Sequence, residues 1–171
     1  MIEEEVLYVN EYENNEEDIE KFIGCITLKQ RLLSLGMGIL AFGLAISKII
    51  EDDKVFATVL LVIGVIGSYI FFTLKNTTLK DALKSINLNK HMILEFYKEH
   101  FIIKDGERES IIKYKDLEQV VEKEDYFYLM VDKNRGIIIK KDSFKDDDEN
   151  EFSKFINTKV KFNKKRTSVG G

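Results

Sequence analysis

At 171 residues, with a third of them charged and a net charge of −4, the chain has room for about one modest folded domain. The negative balance argues against general nucleic-acid binding. A single cysteine, Cys25, excludes an intrachain disulfide and fits a reducing compartment.

Taken in order, Ile2–Tyr12 carries Val6, Leu7, Tyr8 and Val9, an apolar patch that predicts a strand. The first twenty residues hold no Lys or Arg, unlike a cleavable signal peptide, so the first apolar helix is expected to act as an uncleaved anchor. Asn14 or Asn15 can cap a helix from Glu16, with Glu16, Glu17 and Asp18 at its positive end. Ile19, Phe22, Ile23 and Ile26 recur at helical spacing and give it one apolar face. Residues 1–31 thus read as an N-terminal strand and amphipathic helix.

The apolar content concentrates in residues 32–74. Leu32–Ile50 is interrupted only by Lys48, which can snorkel to the interface, and Val55–Leu74 is uncharged throughout. A helix crossing a bilayer needs about 20 apolar residues, and neither segment has the polar stripe of a soluble helix. With only Glu51–Lys54 between them, they predict a transmembrane helical hairpin of spans at about 32–50 and 55–74. Gly36, Gly38, Gly43, Gly64 and Gly67 lie inside the runs, where small residues let helices approach closely. They are candidates for packing, either within the hairpin or between copies. Lys29 and Arg31 before the first span and Lys75, Lys80 and Lys84 after the second place both termini on the cytoplasmic side of a cell membrane.

Residues 75–90 read as a short juxtamembrane helix with Leu79, Leu83 and Ile86 on one side. From His91 the period changes to two. Six strands follow: Met92–Tyr97, Phe101–Lys104, Glu109–Tyr114, Glu118–Lys123, Tyr126–Asp132 and Gly136–Lys140. Asp105-Gly106 is a hairpin turn in which both residues would take positive φ, and Asn134–Gly136 is a second turn. Tyr126–Val131 is apolar on both faces and should be a central strand. Asp146–Glu149 opens a last helix with Phe152, Phe155, Ile156 and Val160 on one stripe. Residues 91–160 therefore predict a curled antiparallel sheet closed by a helix, a pleckstrin-homology-like roll or barrel. Such a barrel needs about seven strands, and Ile2–Tyr12 can supply the seventh. The fold class is α+β, and 161–171 is a basic flexible tail.

Three stretches resemble the YcxB-like family of bacterial membrane proteins: Ile112-Lys113-Tyr114-Lys115-Asp116-Leu117-Glu118-Gln119-Val120, then Asp125-Tyr126-Phe127-Tyr128-Leu129, then Ile137–Lys141 with Phe144. The N-terminal strand, the Asp18–Phe22 helix and the two spans fit the same pattern. Lys140-Lys141 stands where a proline-lysine step is common in the family. The resemblance implies a membrane protein with a pleckstrin-homology-like C-terminal domain and brings no catalytic residues.

No motif in the sequence carries catalysis. His91 and His100 lack a second ligand at metal spacing, and no phosphate loop, nucleophile elbow or HExxH pair occurs. Neither span holds a central ionisable group. The expectation is a non-enzymatic protein without cofactor, metal or small-molecule substrate, whose cytoplasmic domain binds a protein or peptide partner or a second copy of itself. The alternatives are a lipid-sensing module and a small membrane immunity or stress protein. Anionic-lipid contact would use Lys75, Lys80 and Lys84 with Lys159, Lys161, Lys164, Lys165 and Arg166.

Overall fold

The computed structural model describes residues 5–86, 88–106, 108–145 and 149–160. Two compact units emerge: Ile19–Ile86, and the segments on either side of it.

The helical unit consists of α1 (Glu16–Ile50), whose first turn lies in the other unit, and α2 (Lys54–Ser85). Between them Asp52 takes a left-handed φ of 61°, and the Asp53 carboxylate caps α2 by accepting from the Phe56 N–H at 3.2 Å. Both helices are long and apolar enough to cross a membrane, and only 17% of each apolar window is buried. The core helix of a soluble protein would be mostly buried. Leu33, Leu40, Val55, Val65 and Phe72 are instead among many large apolar side chains left exposed, which water would penalise and lipid would not. The stretch expected to form a separate juxtamembrane helix is the end of α2. It contains no Gly or Pro, so nothing interrupts the ladder before Ile86 turns to extended backbone.

Among its described residues the mixed unit has seven strands in two sheets. β1 (Tyr8–Glu13), β2 (His91–Phe96), β3 (His100–Asp105) and β4 (Arg108–Lys113) form one antiparallel sheet in that order. β5 (Gln119–Glu122), β6 (Tyr126–Met130) and β7 (Gly136–Lys140) form the other. β1 starts later than the predicted Ile2, yet it pairs with β2 along its whole length, from Tyr8 opposite Phe96 to Glu13 opposite His91. The N-terminal strand therefore completes the sheet that follows the hairpin. The expected closed barrel does not form: a 3-10 turn at Tyr114–Asp116 separates β4 from β5. On the opposite side Asn10 of β1 bridges to Phe144, which follows β7 and a 3-10 turn, with the Lys145 N–H donating to the Val9 carbonyl at 3.1 Å. The first hairpin turn also differs. Asp105 still pairs with Arg108 as a strand residue, so Gly106 alone of the two takes positive φ, at 62°.

β6 is central to its sheet and all five of its residues are buried, as its two apolar faces require. The core lies between the sheets and under α3 (Glu149–Lys159), where Phe152 packs edge-on against Tyr8, Phe96 and Phe127. Ile156 and Val160 extend the buried stripe by helical spacing.

Candidate functional site

The start of α1 is locked into the mixed unit through one carboxylate. Asn15 is the cap: Asp18 N–H donates to Asn15 Oδ1 at 2.9 Å, and Asn15 N–H donates back to Asp18 Oδ2 at 3.0 Å. Asp18 is 1% exposed, and it also accepts from the Tyr126 hydroxyl at 2.9 Å and the Lys140 ammonium at 2.8 Å. Around it, Asn10 Nδ2 donates to the Lys140 carbonyl and the Tyr12 hydroxyl to the Ile138 carbonyl, at 2.7 and 2.6 Å. Burial, with the Asp18 charge added, pushes the Tyr12 hydroxyl well above its usual pKa and keeps it a donor. Asp18 is thus engaged on both oxygens, so this cluster binds β1, α1, β6 and β7 together rather than offering a reactive group. Asn14 makes a second clamp. It exchanges backbone bonds with Lys90 and Asn89, and its side chain accepts from the Lys90 N–H at 3.0 Å.

An open recess of about 330 Å³ lies at the other end of the first sheet, lined by Glu99, His100, Lys113, Tyr114, Lys115 and Lys159. The Lys159 ammonium rests 3.1 Å from Glu99, and the His100 ring stacks on Tyr97. Of the C-terminal basic residues expected to contact lipid, Lys159 closes α3, while Lys161, Lys164, Lys165 and Arg166 lie outside the described residues. Of the lysines after the second apolar run, Lys75 meets Glu20 at 2.6 Å and Lys84 meets Asp81 at 2.8 Å, while Lys80 is exposed. Among the described residues no group of His, Cys, Asp or Glu is placed to hold a metal ion.

The five glycines divide. A Cβ on Gly67 would stand 2.7 Å from the Ser34 carbonyl, one on Gly38 3.2 Å from the Gly64 carbonyl, and one on Gly64 2.7 Å from the Phe42 ring. These three allow α1 and α2 to approach, and Arg31 Nε adds a bond to the Phe71 carbonyl at 3.0 Å. Gly36 and Gly43 have open space where a Cβ would be.

β1 is held on its outer side by the Phe144 bridge. Among the described residues β4 pairs with β3 alone and is exposed along nearly all its length, whereas β5 and β7, which also end a sheet, are partly buried. Ile111 of β4 is 67% exposed. The stretch from the end of β2 through most of α3, residues 96–156, matches the family model described as YcxB-like protein. The chain carries a YcxB-like domain. The matched region includes all three stretches that carried the resemblance, and stops short of β1 and the helical hairpin. Comparisons with curated proteins and with solved structures returned no match.

The mixed unit thus presents two features that sequence reasoning did not single out. The Asn15–Asp18 pair has the three-residue spacing of a capping box, which was legible, but Tyr126 and Lys140 reach Asp18 only through the fold. The open edge of β4 depends on sheet order, which strand periodicity does not contain.

Proposed function

We propose that this is a non-enzymatic, two-span membrane protein, with both termini and the YcxB-like domain on the cytoplasmic side, that binds an extended segment of a protein partner along β4. In this reading the two sheets and α3 make a pleckstrin-homology-like roll left open between β4 and β5. The observation that carries it is β4 itself: an edge strand with an unpaired side and an exposed isoleucine. Strand addition draws affinity from main-chain bonds and specificity from alternate side chains, and proteins ordinarily blunt such edges. A photoreactive residue at Ile111, in full-length protein in native membranes, should give a protein adduct that the same residue at exposed Lys133 does not. No adduct at 111 above that control rejects the reading.

The basic recess favours a second reading, an anionic-lipid sensor, because Lys113, Lys115 and Lys159 converge there with the basic tail following. It is the weaker one: Lys75, Lys84 and Lys159 already face carboxylates. Replacing Lys159, Lys161, Lys164, Lys165 and Arg166 by Gln should then lower retention of anionic lipid through purification. Unchanged retention rejects it.

A further inference from the structure

We infer that the segment which adds to β4 is β4 of a second copy, paired antiparallel about a two-fold axis at Ile111. The inference rests on the strand-addition reading above and names its partner.

The phase of the backbone decides which groups β4 offers. In the preceding hairpin the Tyr97 N–H donates to the His100 carbonyl at 2.9 Å, so these two form a hydrogen-bonded pair facing each other. Antiparallel pairs alternate in kind, so the next residue of β3, Phe101, turns its backbone groups toward β4, where Ile112 stands opposite. The Tyr114 N–H, donating to the Glu99 carbonyl at 3.4 Å, keeps the same phase two residues on. Arg108, Ser110 and Ile112 therefore bond to β3, and Glu109, Ile111 and Lys113 direct N–H and C=O to the open edge.

Those three residues also share one sheet face, because side chains alternate with a period of two. Centring a two-fold antiparallel pair on Ile111 places it against Ile111 of the second copy, Glu109 against Lys113, and Lys113 against Glu109. Every outward backbone group then has a partner in phase, both charge pairs are opposite in sign, and the exposed isoleucines meet. Other centres fail on charge or polarity. Centring on Ser110 sets Ile111 against Glu109, centring on Ile112 sets it against Lys113, and centring on Glu109 opposes two carboxylates. Glu109 has room for the extra cation: Lys104, its neighbour on β3, is drawn 2.6 Å from Glu95. The outcome is one continuous sheet across two copies, closed by symmetry rather than propagating.

The test uses the full chain in membranes, with Cys25→Ser removing the native thiol. Directly opposed residues of a hydrogen-bonded antiparallel pair have Cα atoms about 5.5 Å apart, inside the roughly 4.4–6.8 Å a disulfide requires. Ile111→Cys should give a disulfide-linked dimer on mild oxidation, whereas Ser110→Cys, opposite Ile112 on the other face, should not. Glu109→Lys should weaken dimerisation about tenfold by opposing like charges twice, and Glu109→Lys with Lys113→Glu should restore it. Absence of the Ile111→Cys dimer, equal cross-linking from Ser110→Cys, or no rescue by the charge swap overturns the inference. So does a photoadduct at 111 only to a foreign protein, which leaves strand addition standing. No photoadduct of any kind removes both.

Discussion

Asp18 is where the architecture is most exposed to a single change. Replacing it with alanine keeps the Asn15 cap on the backbone N–H but removes the carboxylate that accepts from the Asn15 N–H, a bond worth about 1 kcal/mol. It also takes an acceptor from the Tyr126 hydroxyl and a counter-charge from Lys140, whose side chain is only 16% exposed. Depriving buried donors costs roughly 1–3 kcal/mol for a neutral group and more for a paired charge. One carboxylate serves all of these partners, so the terms overlap, and about 3 kcal/mol is a reasonable total against a domain stability of roughly 5–15 kcal/mol. Amide hydrogen exchange on the full chain in lipid nanodiscs reads this directly. Peptides covering β6 and β7 should exchange roughly 150-fold faster in Asp18→Ala if they open together. Asp18→Asn retains an acceptor oxygen and should lose about half as much. Adding Lys140→Met to it removes the unpaired ammonium and should recover part of the loss. A cost below about 1 kcal/mol for Asp18→Ala would refute the reasoning, since an exposed cap alone would account for it.

Four further expectations follow from the geometry. Gly67→Ala meets the Ser34 backbone carbonyl, which cannot rotate away, so it should loosen the hairpin in a denaturing-detergent titration. Gly36→Ala meets open space and should be neutral or stabilising by up to about 1 kcal/mol. Phe152→Ala removes a fully buried ring that touches Tyr8, Phe96, Phe127 and Phe144, and should cost about 3–5 kcal/mol in urea unfolding of the sheet domain. The Lys104 ammonium at 2.6 Å, helped by the Tyr97 hydroxyl, holds the Glu95 carboxyl below its ordinary value of 4.5. Its stabilisation is therefore complete above pH 4.5 and is lost as pH falls through the lower folded value. Glu95→Gln should flatten the fall in urea midpoint as the solution is acidified, and an unchanged slope would remove Glu95 from the acid response.

What the sequence revealed and what it concealed separate along the range of the interactions. The helical runs, six strands and the central position of Tyr126–Met130 follow from local periodicity, since burial on both faces demands apolar residues at every position. The capping of α1 was local too, although two adjacent asparagines competed for it. Both have an acid three residues on, Glu17 and Asp18, so spacing did not decide between them; in the fold Asn15 takes the cap with Asp18, and Asn14 clamps Lys90. The site is different in kind. Lys140 reads as a surface charge ending a strand, and only the meeting of β7 with the first turn of α1 makes it the counter-ion of a buried carboxylate. The glycines likewise needed the facing helix before Gly38, Gly64 and Gly67 could be told from Gly36 and Gly43.

That dependence on non-local contacts follows from where the hairpin is inserted. Glu13 and His91 stand directly opposite in the register, so everything from Asn14 to Lys90 occupies the position of a β-hairpin loop. Closing a loop of that length as free chain carries an entropic cost that rises slowly with length, and it delays pairing until distant segments meet. Two antiparallel helices shorten the search, because they return the chain to its starting end: Lys75 reaches Glu20, and Arg31 reaches Phe71. Asn14 then fixes the rejoined ends through Lys90 and Asn89, the latter in the left-handed conformation that asparagine tolerates. β1 holds part of the core through Tyr8 and Tyr12, so the mixed unit is complete only once β1 has paired with β2. Asn14, which bonds to Asn89 and Lys90, and Asp18, which reaches Tyr126 and Lys140, tie the two segments of the mixed unit to each other.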